Sequence, residues 1–457
     1  MTFLNTKKKK IIFIIILFLL SGGIYISIII SDIVRYGYDK QNKVIETIKS
    51  IISPHYIKKI RDNVFIISSL KKKNEFLELQ VKKYEQGNEG QKFDTRTVEL
   101  NGSNYELNFF FLPFKRLDVN LGWNAEINSL RAHYAEINNE NVFSISGEGK
   151  TVYFNKKNLL KNSLKIKDLP NNINEILEEN NFELIGIRDL YFHDNQILIS
   201  MQTRNEKGIT INLYKADLNF KKINFKIFFE TKEYWKNYNV FSGGRIEKFD
   251  DENILFSVGF ANVKDVAQEM NRLLGKIINI NLESKEHKIV SIGHRNPQGL
   301  RYLKGNNLII NSEHGPKGGD EINFNKLNEG KEIKNYGWDI ASYGIAYDGT
   351  DPFKKSHIKY GFVEPIKYYV PSIGISEIIF LEKNSFCESK CLWTSSLRAN
   401  SIYVLKVNDK FDQLTPNGRI FLEGNRIRDI DYDKELDMLI LLSENVPALI
   451  TIKKIKN

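Results

Sequence analysis

Cysteine is nearly absent from this chain: two residues in 457, Cys387 and Cys391, both in the segment CESKC. With so few thiols there is no disulfide scaffold, and no motif supports redox catalysis by the pair. An exported protein permits a disulfide there, and the three-residue gap lets a turn close one. The seven histidines show no HExxH or other zinc spacing. Neither a Walker loop nor a Rossmann fingerprint is present, which argues against nucleotide chemistry. The net charge is +10, yet Lys and Arg are scattered. Nucleic-acid binding needs them concentrated on one element, so no nucleic-acid partner is expected.

What is present is a long, well-mixed chain. Hydrophobic and aromatic fractions of 42% and 12% exclude disorder, and the length calls for one large repeat fold or two domains. Residues 1–31 stand apart. Four lysines at 7–10 precede residues 11–31, a run without a charge and long enough for one membrane span. Basic residues ahead of the span favour a cytoplasmic N-terminus, with everything after it outside. Arg35, Lys40 and Lys43 weaken that asymmetry. A cleaved signal peptide with a site near Ser21-Gly22-Gly23 is the rival. The apolar run continues to Ile30, which favours an uncleaved anchor. The expectation is a single-pass inner-membrane protein with its body on the periplasmic side. Residues 32–92 read as a helical juxtamembrane stalk. Val44, Ile45, Ile48, Ile51 and Ile52 fall at helical spacing before Pro54, and a second helical stretch runs over 72–86. Its basic residues suit either anionic headgroups or solvated helix faces.

From residue 93 to 457 the chain repeats. Short strand-like runs begin at Asn141 (NVFSISG), Gln196 (QILISMQT), Asn253 (NILFSVG), Asn307 (NLIINSE), Cys391 (CLWTSSL) and Asp437 (DMLILLSE). Most follow another alternating run and a polar turn: IRDLYFHDN, GGRIEKFDDEN, PQGLRYLKGN, IRDIDYDKEL. Two adjacent strands at this period are the mark of propeller blades, about four strands each. Six copies predict an all-β, six-bladed β-propeller. The interval from 307 to 391 is much the longest, an insertion expected to begin in the EHGPKGGDEIN loop.

The most chemically loaded stretch is 293–338. It reads GHRNPQGL, an apolar run, SEHGPKGGDEIN, then NYGW. Glycines at 315, 318 and 319 let the backbone aim carbonyl oxygens at one spot. Carbonyls beside Asp320 and Glu321 suit a hard cation such as calcium, and Arg295 with Asn296 suits a carboxylate or carbonyl ligand. Tight turns carrying solvated charges are an equally good reading of spacing alone. In a propeller the inner-strand loops converge at the channel mouth. That would bring Arg295 and Asn296 near Arg398 (SSLRAN) and near Arg426 and Arg428 (GNRIRD), the last two alternating along a strand.

GHRNPQGL, EHGPKGGDEIN and NYGW, in this order, resemble the signature of the soluble quinoprotein aldose sugar and glucose/sorbosone dehydrogenases, over about residues 186–445. The resemblance implies a six-bladed propeller that binds pyrroloquinoline quinone (PQQ) and calcium. Arg426 and Arg428 fall on the family's cofactor-binding arginines; Arg398 falls where the family usually has Lys. Arg295 and Asn296 belong to the same cofactor set. Gly315 and Pro316 would offer carbonyls to the cofactor-bound cation, and Glu321 and Tyr336 fall on a second calcium site. His294 and His314 belong to the motif and read as supporting residues. The implied partners are a sugar or related alcohol and a respiratory electron acceptor.

One departure matters. The family has His four residues before the Arg of a His-x-Gly-Gly-Arg-like cluster, and here the cluster is Phe241-Ser242-Gly243-Gly244-Arg245. Phenylalanine accepts no proton, so no catalytic base is assigned. Two readings follow: a quinoprotein oxidoreductase with another group in that role, or a non-catalytic propeller that binds a glycan or protein partner.

Overall fold

Six four- or five-stranded sheets, antiparallel but for one short parallel pair, are seen in a computed structural model that describes residues 88–115, 130–236, 242–330 and 332–455. Their innermost strands are His133–Asn138, Glu183–His193, Gly243–Lys248, Pro297–Leu303, Ile375–Leu381 and Ile427–Asp433. Each of these touches the innermost strand before and after it, and the last touches the first. The ring is therefore closed. The expected six-bladed all-β propeller is what the chain forms.

Each predicted repeat is the second strand of a blade: Asn141–Ser146, Gln196–Asn205, Asn253–Val258, Leu308–Glu313, Cys391–Ser396 and Met438–Ser443. These strands are apolar at successive positions because both faces are covered by neighbouring blades; Met438–Ser443 is buried throughout. The innermost strands carry polar residues at alternate positions, as in Ile427–Asp433 (IRDIDYD), because one face lines the channel. The core lies between blades. Leu107, Phe109, Ile450 and Ile452 of the sixth blade, for example, join Trp393, Ile402 and Val404 of the fifth in one buried cluster.

The sixth blade also closes the ring. Ser103–Phe111 pairs with Ala448–Lys454, and Lys92–Leu100 pairs with Ser103–Phe111. Chain segments far apart in sequence thus share one sheet, which leaves no edge of that blade's third strand unpaired.

Two expectations need correction. The insertion does not begin in the EHGPKGGDEIN loop. Asp320–Lys326 pairs in register with Leu308–Glu313, Glu313 opposite Glu321, so that loop is an ordinary connection. The extra chain is 327–366, between this strand and the blade's fourth strand, Lys367–Tyr369. The single-pass inner-membrane placement is withdrawn: among the described residues no helix is long and apolar enough to cross a membrane. Residues 11–31 lie outside the described residues, and so does the stalk expected over 32–92 as far as residue 87; Lys92 already opens the strand Lys92–Leu100 of the sixth blade. Cys387 and Cys391 are joined as a disulfide within the fifth blade.

Candidate functional site

A β-bulge recurs near the start of five innermost strands, and each puts a polar residue where the pairing slips. The slips fall at Arg188, at Gly244 and Arg245, at Gln298, at Ser376 and Glu377, and at Arg428. A bulge adds a residue on one strand and re-aims its side chain. Here it turns a ring of strands into a ring of polar groups.

Arg428 and Arg426 grip one carboxylate. Glu444, buried at the end of Met438–Ser443, accepts from Arg426 Nε at 2.7 Å and Arg428 Nε at 2.9 Å. Burial alone would raise this carboxyl, but Arg428, Arg426 and Arg131 outweigh it and hold it at about 2. Arg428 Nη1 also donates to Gln298 Oε1 at 2.6 Å, and Gln298 Nε2 donates to Asn296 Oδ1 at 3.1 Å. Asn296 Oδ1 further accepts the Gly243 N–H at 3.1 Å, tying the third blade to the fourth. Arg426 precedes its strand rather than alternating along it; the two arginines meet through Glu444.

Arg295 is buried on the other side of the mouth. Its Nη1 donates to the His314 carbonyl at 2.8 Å and its Nη2 to the Tyr347 hydroxyl at 3.3 Å. Its guanidinium lies over Phe260, Trp338 and Tyr347. His314 connects the two sides: burial pushes its imidazole down to about 4, with Asp320 opposing and Arg428, Arg295 and Arg426 adding to the shift. Arg295, Asn296, Arg426 and Arg428 therefore share one end of the channel. Arg398 has an exposed side chain on a loop next to the site: Arg426 Nη1 reaches the adjacent Leu397 carbonyl at 3.4 Å, and the Arg398 N–H donates to the Ile373 carbonyl.

Two groups at this end went unrecognised in the sequence. Arg131 interacts electrostatically with Glu444, Arg426 and Arg428. His133, wholly buried and held neutral to about 4 by burial, lies within the field of Glu444 and Arg428. Arg131 Nε and both His133 ring nitrogens are buried without a hydrogen-bond partner. Orphaned donors beside a cluster of arginines fit a ligand bearing several carboxylates, as PQQ does. Glu444 did have a signal: IINSE and LLSE place Glu313 and Glu444 at the same point of two repeats. Glu313 acts on the backbone instead, accepting the main-chain N–H of Arg295 at 2.7 Å.

The Gly-Pro turn sits beside Arg295. Asp320 fastens it, accepting from the N–H of Gly315, the Ser372 hydroxyl and the N–H groups of Gly374 and Ile375. Asp320 is therefore an anchor. Gly315 allows the fold-back: a Cβ there would lie 2.2 Å from Gly319. Behind the turn, Glu313, Gly315, Glu321, Tyr336 and Ser342 line a cavity of about 10 Å³, room for one water-sized sphere. Burial and the neighbouring Glu313 carboxylate raise Glu321 well above its usual range. The Tyr336 hydroxyl is committed to the Phe324 carbonyl at 3.0 Å. Among the described residues no three His, Cys, Asp or Glu side chains group as a metal cage. A cation here would rely on backbone carbonyls with Glu321, a donor set of the kind calcium takes. Phe241 lies outside the described residues.

The profile of the family described as Glucose / Sorbosone dehydrogenase matches residues 173–451. Aldose sugar dehydrogenase YliI of Escherichia coli is 31% identical over 227 residues, 46% of this chain and 59% of that protein. Quinoprotein glucose dehydrogenase B of Acinetobacter calcoaceticus is 30% identical over 151 residues, 25% of this chain and 30% of that protein. The alignments thus span little more than half, or less, of these relatives. The crystal structure of the apo-form soluble aldose sugar dehydrogenase from Escherichia coli superposes with a TM-score of 0.57 at 22% identity, covering 70% of this chain and 95% of that one. The PQQ-bound aldose sugar dehydrogenase from Streptomyces coelicolor gives a TM-score of 0.52 at 15% identity, covering 81% and 100%; these two likenesses show the fold. With the profile spanning more than half of its length, the chain belongs to the Glucose / Sorbosone dehydrogenase family.

Proposed function

We propose that this protein is a quinoprotein oxidoreductase that binds PQQ with calcium at the arginine-lined mouth and oxidises an aldose or related alcohol, passing electrons to a respiratory acceptor. The carrying observation is the convergence of Arg131, Arg295, Arg426 and Arg428 on one end of the channel, with Arg131 Nε and the His133 ring left without partners. When bound, PQQ supplies an ortho-quinone that accepts the two electrons of alcohol oxidation. The chain supplies the rest. Arg131, Arg426 and Arg428 would bind the carboxylates, Arg295 and Asn296 would complete the cradle, and Gly315 and Pro316 would offer carbonyls to the cation. Glu321 and Tyr336 would hold a second calcium.

A second reading is favoured by Phe241. With no proton acceptor at the position where the family has His, the same mouth would bind a glycan or partner without turnover. PQQ titration of the purified protein with calcium, followed by calorimetry and quinone absorbance, tests the first reading. Saturable, calcium-dependent binding is expected; none at high micromolar PQQ would end it. Dye reduction with aldoses then separates the two. If the missing base limits turnover, Phe241→His raises the rate about 10²–10⁴-fold.

A further inference from the structure

The inserted segment 327–366 is more than a connection. Lys334–Asn335 pairs with the edge of the third blade. Lys317 and Ile345 exchange two backbone hydrogen bonds, at 2.9 and 3.1 Å, which tie the insertion to the Gly-Pro turn. Just beyond, a tight turn is closed by Ala346 and Thr350, with Asp348 Oδ1 accepting the Thr350 N–H at 2.9 Å and its hydroxyl at 2.7 Å. Tyr347 stands on this turn, 65% exposed. Its hydroxyl meets Arg295 Nη2 at 3.3 Å, and Arg295 is otherwise covered by Phe260 and Trp338.

An aromatic ring this exposed, yet held by a fastened turn and by an arginine of the mouth, is a surface waiting for a contact. Tyrosine loses little conformational entropy on binding and offers a broad apolar face beside a polar tip. A pyranose has matching chemistry: an apolar face of axial C–H bonds and an equatorial rim of hydroxyls. Asp348 and Thr350 provide polar groups on the same turn. We propose that Tyr347 is a substrate-contacting wall of the mouth, stacking on the sugar ring and thereby setting which sugars are accepted. This rests on the reading above that the mouth admits a sugar; it does not require turnover.

The test uses the whole purified chain, with and without PQQ plus calcium, and methyl β-D-glucopyranoside as the probe. Saturation-transfer NMR reads the contact, and a titration of the same signal reads the affinity. In the wild type, transfer to the axial protons is expected. Tyr347→Ala should weaken binding about tenfold with an unchanged melting temperature, while Tyr347→Phe, which keeps the ring, stays within about twofold. Equal binding by wild type and Tyr347→Ala overturns the proposal. So does equal damage from Phe and Ala, which would assign Tyr347 to positioning Arg295 through its hydroxyl, or the absence of sugar signal from the wild type in both states. A PQQ titration on the same samples separates the two inferences. Without PQQ binding the quinoprotein reading fails, while a Tyr347-dependent sugar signal still supports the wall.

Discussion

The mouth of the channel and its interior are built from the same six strands, yet they carry opposite charge. At the mouth, Arg131, Arg426 and Arg428 converge on the carboxylate of Glu444, which two of them grip. One step inward, Arg245 is surrounded by Asp189 at 3.1 Å, Asp429 at 2.8 Å and Glu377. A further step along the strands come Glu136, Glu247 and Asp431, with Arg301 placed 3.4 Å from Glu247 and 3.6 Å from Glu377. Inside, carboxylates outnumber cations, and Arg245 and Arg301 each have more than one within ion-pair distance. At the mouth, Arg131, Arg426 and Arg428 share the one carboxylate of Glu444, while Glu313 and Asp320, nearer Arg295, accept from backbone N–H groups. A layer rich in carboxylates holds its own cations; one in which three arginines share a carboxylate has room for a further anion.

The comparison breaks most visibly at Arg245. Replacing it with Met leaves Asp189, Asp429 and Glu377 buried without their shared cation. Breaking a buried ion network from one side costs about 3–5 kcal/mol. Arg245→Met should lower the melting temperature by roughly 6–15 °C, read by calorimetry; a change under a few degrees would show that the inner layer is not what joins the blades. At the mouth the same kind of change should act on binding instead. Arg428→Ala removes a buried charge that faces the ligand, and such truncations cost about 2–5 kcal/mol of affinity. The expected outcome is a PQQ dissociation constant raised at least thirtyfold with a smaller loss of melting temperature than Arg245→Met. Equal affinity would move the cofactor elsewhere.

How much of this was readable beforehand follows from what repeats. The blade count was legible because each second strand is apolar on both faces and recurs with a polar turn before it. The motif residues Arg295, Asn296 and Gly315 were legible through their neighbours. Arg131 and His133 were not, since RAHYAE has the look of any strand start and their meeting with Glu444 spans more than 300 residues of chain. Bulges hid the rest. Arg428 and Gln298 face the mouth because pairing slips by one residue, and alternation rules carry no sign of that slip. The start of the insertion was misplaced for a related reason: glycines at 315, 318 and 319 look like a long loop, whereas Asp320 closes them into a turn. Arg398 was named because it falls where the family usually has Lys, and its loop reaches the site through backbone, the Leu397 carbonyl accepting from Arg426 Nη1.

The smallest expected effect separates the two layers by protonation. Glu247 is pushed up to about 7, chiefly by burial, with Asp189 and Asp431 adding to the rise and Arg301 and the Tyr302 N–H opposing it. Its unfolded value is about 4.3, so folding favours the protonated form. The stability this group contributes is complete below the unfolded value and is lost as pH rises through about 7. Asp189, also raised to about 7 by burial, acts in the same direction. His133 and His314, depressed to about 4, act oppositely. Their contribution is present above their ordinary range and is lost as pH falls toward 4, so the two limbs oppose each other over the acid range and only a comparison of wild type with a variant isolates Glu247. Glu247→Gln imitates the protonated carboxyl at every pH. Between pH 6 and 8 the wild type should lose about 2–4 °C of melting temperature relative to this variant, the Asp189 share remaining in both. A pH-independent difference would mean that Glu247 is ionised throughout, neutralised by Arg301. The inner layer would then match the mouth, where Glu444 stays charged because its arginines outweigh its burial.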